Sequence, residues 1–594
     1  MAAERRVAQA LDTIRGVVRL AGDVPKLLPN SRCSPALLVE HWAEKLPESL
    51  ALACLDQRID WRDLNASANR YATWFARRGI GRGDVVALMM DNRPDFVSIV
   101  LALSKLAASG ALINTQLTGR ALTHGINVSG AKMVVVGSEH QEAVLAVIAD
   151  LEAVATPEEV CVQVEAGDAP RDGAFAINDE VAAASTGFRR GPRPPRNSDV
   201  YCYIYTSGTT GLPKAAIIRN QRMLGAGIAF GRLMHRCGPG DVIYVPLPLY
   251  HSSAMFLGLG AALGTGAAIA LRRKFSVSEF WKDVREFEAT SFLYIGELCR
   301  YLLNAEPQEG ERDHRLRVAV GNGMAPNIWE PFQERFGIPT IREFYGSTEG
   351  NAMLMNLSGR PRMVGRIMPG QVLVRCDEET GELLRNESGF CEKVRGGGTG
   401  LLLGRLSPVV AFDGYVDREA TNKKIVTDVF ESGDRYFNSG DLLQLHGGNW
   451  LSFADRIGDT FRWKGENVAT AEVSSILGEA EGVLEANVYG VRIPRTEGRA
   501  GMAALQVSDD FSLEKFARFV AERLPGYQRP VFLRLLQDEM RVTGTFKHKK
   551  VDYRREGFDP GEISDLLYLF DGEAYVPLDE PLYRQIETGE RTLG

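Results

Sequence analysis

The sequence predicts an α/β protein: a large N-terminal domain of helix-covered β-sheets over residues 1–457, then a small mobile α+β C-terminal domain over residues 458–594. Three observations point there. Apolar runs of strand length alternate with amphipathic segments from residue 60 onward, the pattern of a parallel sheet with helices on its faces. A loop of glycines and hydroxyls at 206–214 is bounded on both sides by apolar runs, as in a hairpin. The 594 residues exceed several-fold the ~100–200 usual for one domain, and from Ala471 the pattern turns to short mixed elements.

Taken in order, residues 1–50 carry little chemistry and read as a leading arm. Asp60 can cap a helix whose apolar face is Leu64, Ala68, Tyr71 and Phe75, ending at Gly79. Strands are expected at 85–90, 111–113 and 133–136, with a helix over 96–108. The basic, proline-rich stretch at 188–196 reads as a surface connection into the hairpin, with a basic docking patch as the alternative. Residues 254–271 are uncharged and approach the ~17–25 residues of a membrane span. Gly258, Gly260, Gly264 and Gly266 favour a buried helix and strand there, and peripheral membrane contact stays open. In the C-terminal part, strands are expected at 486–491 and 531–536 and a helix over 513–524. An aromatic-rich tail with Tyr568, Phe570, Tyr575 and Tyr583 should dock on that domain.

A net charge of −7 speaks against general nucleic-acid binding, which needs a basic footprint. The eight cysteines include no C-x-x-C pair and read as free thiols of a reducing compartment. The N-terminus has no long apolar segment behind its charges, so no signal peptide is expected and the location is read as cytoplasmic.

The chemistry is concentrated in a few loops. Thr206, Ser207, Gly208, Thr209, Thr210, Gly211 and Lys214 combine small residues, hydroxyl donors and a cation, which suits the phosphates of a nucleotide. The spacing is not that of G-x-x-x-x-G-K-[ST], and β-branched residues rather than a helix follow the lysine. His251 follows a strand expected at 242–246, where an α/β sheet presents ligand contacts. Gly321 ends another strand in a glycine turn that lets an adenine lie on the backbone. In Glu343-Phe344-Tyr345-Gly346-Ser347-Thr348-Glu349, the aromatic pair can stack on adenine. Thr348 can donate to a phosphate, and Glu349 can hold Mg²⁺, which prefers hard oxygen ligands. Asp441 suits the two hydroxyls of a ribose, and Arg456 the ribose or α-phosphate. Gly458 is a plausible hinge. Lys547, after a Thr-Gly-Thr turn, can project into a neighbouring site, whereas Lys549 and Lys550 are expected on a solvated face.

These elements occur in the order that resembles the adenylate-forming enzymes, and within them the chain looks most like the very-long-chain acyl-CoA synthetases, or fatty acid transport proteins. The resemblance spans about residues 200–550. It rests on Tyr203-Ile204-Tyr205-Thr206-Ser207-Gly208-Thr209-Thr210-Gly211-Leu212-Pro213-Lys214, Ser347-Thr348-Glu349-Gly350-Asn351, the Gly458 to Asn467 run and Thr543-Gly544-Thr545-Phe546-Lys547. Thr545-Phe546 replaces the Ser-Gly of many members, and Gly458 stands where many have Asp or Lys; both fit the very-long-chain branch.

The resemblance implies the adenylate-forming fold and ATP, Mg²⁺ and coenzyme A. It also implies a reaction in two halves, in which a fatty carboxylate attacks the α-phosphorus and the coenzyme A thiol then displaces AMP. It assigns catalysis to Lys547, Glu349, Thr206 and His251, the metal to Thr206 and Glu349, and the coenzyme A half to the side bearing Lys464. The alternatives are adenylation of another carboxylic acid, or fatty acid capture at the inner face of the membrane without turnover. A homodimer stays open.

Overall fold

The computed structural model describes residues 16–594 apart from 19, 29–30, 55–56, 153, 155, 189–190, 192, 207–211, 379, 408–411, 458, 464–465, 495, 497, 542–549, 592 and 594. Among these residues, two sheets built on parallel pairing carry the large N-terminal part. The first is seven-stranded, in the order Phe175–Ala176, Cys161–Gln163, Met133–Gly137, Val85–Met89, Ser109–Leu112, Val200–Thr206 and Lys214–Arg219. All its pairs are parallel except the last, an antiparallel hairpin that sets Thr206 opposite Lys214. The second is eight-stranded: Leu354–Met355, Ile341–Tyr345, Val318–Asn322, Ser291–Ile295, Val242–Val245, Ala268–Leu271, Leu50–Cys54 and Gln57–Asp60. Only its two edge pairs are antiparallel.

The expected helix after residue 60 forms over Trp61–Arg77. The Asp60 carboxylate accepts the Asp63 N–H at 2.7 Å, and Leu64, Ala68, Tyr71 and Phe75 are buried. The stretch at 254–271 is a helix and a strand. π-Helical turns over Ser253–Gly260 run into an α-helix over Ala261–Thr265, and Gly266 reverses the chain at φ +80° into Ala268–Leu271. Every residue of these elements is buried, and among the described residues no helix is long and apolar enough to cross a membrane. The leading residues differ from the expected arm. Ser34 caps a helix over Pro35–Lys45, and the Trp42 indole donates to the Leu263 carbonyl at 2.6 Å, so this segment is part of the core.

An ion-pair cluster ties the two parallel sheets together. Asp91, just past Val85–Met89, is met by Arg273, just past Ala268–Leu271, and by His140 at 2.9 Å. Burial opposes its ionisation, but hydrogen bonds from His140 and Arg273 outweigh that and hold its pKa at about 2.

The reading of the sequence missed a third sheet. Gly365–Arg366, Trp450–Arg456, Arg435–His446, Thr399–Arg405, Gln371–Val374 and Ile425–Thr427 pair antiparallel. Its strands are interrupted by charged turns, so no run of clean alternation marks them. The C-terminal part begins with a hairpin of Phe461–Trp463 and Glu466–Val468. A helix over Thr470–Leu477 and a five-stranded sheet from Val483–Val491 to Tyr575–Pro577 follow. The aromatic tail docks by adding strands, Leu566–Phe570 pairing with Phe532–Leu535.

The helix over Asn220–Ala229 crosses the π-helical segment at glycines. A Cβ on Gly227 would lie 2.4 Å from the Gly260 carbonyl carbon, whereas one on Gly225 would meet nothing within 4 Å. Gly227→Ala is therefore expected to cost about 1–3 kcal/mol through overpacking. Gly225→Ala should be neutral or stabilising by about 0.4–1 kcal/mol. Thermal unfolding of the two variants side by side checks this.

Candidate active site

Four of the parallel strands end at one cavity of about 2480 Å³. Past Val242–Val245 come Pro248, Tyr250 and His251; past Ser291–Ile295 comes Glu297; past Val318–Asn322 come Gly323 to Pro326; past Ile341–Tyr345 come Gly346 to Asn351. A carboxyl-end crevice of this kind is where open α/β sheets bind ligands. The hairpin supplies Tyr205, Thr206 and Lys214, the third sheet supplies Asn438 to Asp441 and Arg456, and the C-terminal part supplies Thr460, Ser474 and Lys550.

The cavity thus brings together Thr206, Lys214, His251, Glu343, Phe344, Tyr345, Gly346, Thr348, Glu349, Asp441 and Arg456. Gly321 is not on its wall. A Cβ there would lie 2.2 Å from the Tyr294 carbonyl oxygen, so this glycine serves sheet packing, and the wall starts at Asn322. Ser207, Gly208, Thr209, Thr210, Gly211, Gly458, Lys464 and Lys547 lie outside the described residues. Lys550 corrects an expectation. Its ammonium donates to the Thr470 hydroxyl at 2.6 Å and lines the cavity, so it does not sit on a solvated face. Thr470 in turn donates its N–H to the buried Asp455 at 2.5 Å, joining the third sheet to the C-terminal part.

Asp441 and Arg456 are direct partners across antiparallel strands, and their side chains meet at 3.4 Å. The Tyr345 hydroxyl donates to the other Asp441 oxygen at 2.5 Å, tying the aromatic pair to that carboxylate. Phe344 packs edge-on against Phe230. Ser252 and Thr348 share a hydrogen bond at 2.9 Å, and the Ser253 N–H donates to the His251 ring at 3.3 Å. Residues 39–391 match the protein family described as AMP-binding enzyme.

The chain belongs to the AMP-binding enzyme family. It is 42% identical over 551 residues to the long-chain fatty acid transport protein 6 of Mus musculus, covering 89% of this chain and 86% of that protein. It is 39% identical over 573 residues to the medium/long-chain-fatty-acid--CoA ligase FadD6 of Mycobacterium tuberculosis, covering 95% of this chain and 93% of that one. Its fold is similar to that of the anthranilate CoA ligase AuaEII in complex with anthranoyl-AMP, at a TM-score of 0.75 and 19% identity, over 89% of this chain and 97% of that one. ATP-bound MatB from Rhodopseudomonas palustris gives 0.72 at 22% identity, over 88% and 98%. The fold is thus the adenylate-forming one, with a large N-terminal and a smaller C-terminal domain.

Two residues of this AMP-binding enzyme's site carried no signal in the sequence. Arg222, half-buried on the helix after the hairpin, donates to the Ser347 carbonyl at 3.0 Å and the Gly350 carbonyl at 2.5 Å, bracketing the turn that holds Glu349. Tyr415 follows a tight turn at Gly414 and donates its hydroxyl to Glu349 Oε1 at 2.6 Å. No motif flags either, because each acts through backbone or through another side chain.

Glu343 serves the site from within its wall. Its carboxyl accepts the Met324 N–H at 2.8 Å and the Tyr294 hydroxyl at 3.0 Å, fixing the turn that follows Gly323. Complete burial pushes its pKa up to about 8, against the donors from Met324, Tyr294 and Gly323. The folded state therefore keeps a proton that the unfolded chain has lost above about 4.5. This contribution to stability is fully present below that pH and is lost as pH rises through about 8. Glu343→Gln, which keeps the acceptor without ionising, should flatten that fall between pH 5 and 8. Unfolding midpoints of both proteins across that range are the check.

Proposed function

We propose that this AMP-binding enzyme is an ATP-dependent long- or very-long-chain fatty acyl-CoA synthetase, an acid–thiol ligase that makes acyl-CoA, AMP and diphosphate through an acyl-adenylate. The observation that carries the reading is the convergence of Thr206, Glu349, Asp441 and Arg456 on one cavity at the carboxyl ends of parallel strands. The ligase named in Mycobacterium tuberculosis and the transport-protein relatives support fatty acid as the substrate class.

The donor set fits Mg²⁺. Glu349 and Thr206 offer hard oxygens on the cavity wall, and among the described residues no cationic side chain lies within ion-pair distance of Glu349. Bound there, Mg²⁺ would supply charge neutralisation on the phosphates. In this reading Asp441 and Arg456 hold the ribose, Tyr345 and Phe344 flank the adenine, and Lys214 with the residues of 206–211 meets the phosphates. His251 stands beside the carboxylate of the acyl substrate. That carboxylate is ionised at neutral pH, so the first half-reaction asks for alignment of two anions rather than a general base. Lys547 would complete the site by binding the forming acyl-phosphate oxygens, and Lys464 would face it in the coenzyme A half.

A boundary near Gly458 is supported by the hydrophobic clusters. The one containing Ile457 belongs to the third sheet, and the next begins at Phe461 and stays within the C-terminal part. The C-terminal domain would rotate about that point between the two halves. The cytoplasmic reading is supported by eight cysteines that are all free. Contact with the inner face of the membrane remains part of the proposal.

AMP release from palmitate, ATP and coenzyme A tests turnover directly; nucleotide-independent fatty acid binding with no AMP would favour capture, and a panel of acids of graded length would define the substrate. Lys547→Ala should slow adenylate formation by about a hundred- to a thousandfold while leaving thioester formation from supplied acyl-adenylate near normal. Equal loss in both halves would reject domain alternation. Asp441→Ala should weaken ATP binding with little change in the fatty acid KM, and an unaltered nucleotide affinity in calorimetry would remove it from the ribose site.

A further inference from the structure

Tyr415 stands where three separate loops meet. Its segment runs beside the hairpin strand Lys214–Arg219. The Ile217 N–H donates to Gly414 O at 2.9 Å, and the Val416 N–H to Ala215 O at 3.0 Å. The Tyr415 N–H donates to the Thr421 hydroxyl at 2.9 Å, and Gly414 turns at φ +76° against that same threonine. The ring is 5% exposed, edge-on to Phe412, with the Lys214 ammonium 5.8 Å from its centroid. The hydroxyl is thereby fixed in place. It donates to Glu349 Oε1 at 2.6 Å.

The direction of this bond matters. A phenol has one O–H, and here it goes to Glu349. Donation to Oε1 fixes the plane of the Glu349 carboxylate and would leave Oε2 for a cation. A lysine or arginine in this place would neutralise the carboxylate, whereas a phenol orients it without cancelling its charge. Partners behind a metal's ligands act in this way on affinity.

The geometry points to Tyr415 as a positioning residue for the metal–nucleotide, its single hydroxyl aiming the Glu349 carboxylate at the cation. The inference rests on the metal reading of Thr206 and Glu349 given above. Tyr415→Phe keeps the ring and removes the hydroxyl. Calorimetric titration of a non-hydrolysable ATP analogue over a series of Mg²⁺ concentrations reads the effect without turnover. The Mg²⁺ needed for half-maximal binding should rise about tenfold or more, while the metal-free analogue binds as before. An equal loss with and without Mg²⁺, or a loss that tracks a lowered melting temperature, would overturn the proposal in favour of a packing role.

Glu349→Gln and the double variant with Tyr415→Phe separate the two layers. If Glu349→Gln keeps the wild-type Mg²⁺ dependence, the metal reading itself fails. If Glu349→Gln loses it and Tyr415→Phe does not, only the role of Tyr415 fails. If both hold, the double variant should be no worse than Glu349→Gln alone, because the hydroxyl acts through that carboxylate.

Discussion

A carboxylate nearly removed from water, with no ion-pair partner among the described residues, is the constraint around which this molecule is arranged. Glu349 is 8% exposed, and the ion pairs formed among the described residues do not include it. Burying such a charge is costly unless hydrogen bonds and surrounding dipoles support it. The support comes from Tyr415 on one oxygen and from the guanidinium of Arg222, which lies beneath the same turn and binds its backbone. In the proposed reading, that negative charge is what a metal–nucleotide would meet.

The rest of the fold reads as the means of bringing that turn and its partners to one place. Parallel pairing ends the strands at Val245, Ile295, Asn322 and Tyr345 on the same edge, so the loops after them share a crevice. The Asp91 network and the glycine contact between Gly227 and Gly260 hold the two parallel sheets and their helices at fixed separation. The antiparallel third sheet adds what the parallel ones cannot, a pair of facing side chains, Asp441 and Arg456, in register on neighbouring strands. Within the wall, Glu343 trades ionisation for two hydrogen bonds that keep the Met324 turn in shape.

The elements that could be read in advance are those with strong local signals. Asp60 with its 3.6-residue apolar stripe, the β-branched strands of the first sheet, and the two strands flanking the glycine-and-hydroxyl loop formed near where they were expected. Glu349, Thr206, Asp441 and Arg456, singled out as polar groups beside glycine turns, line one cavity. The misses have a common cause. Gly321 looked like a ligand contact, but glycine in a strand serves equally to admit a neighbouring ring, here Tyr294. Lys550 sat in a basic run that suggested solvent, yet a contact with Thr470 far back in the chain captured it.

Local chemistry alone therefore specified the α/β class and the hairpin strands and marked the candidate oxygen donors, since each follows from residue type and period within a short window. Only the tertiary structure decided which of those donors share a cavity and what aims them. Tyr415 and Arg222 act through hydrogen bonds to distant segments. A bond of that kind leaves no period or spacing in the chain, and it exists only once the sheets have brought the segments together.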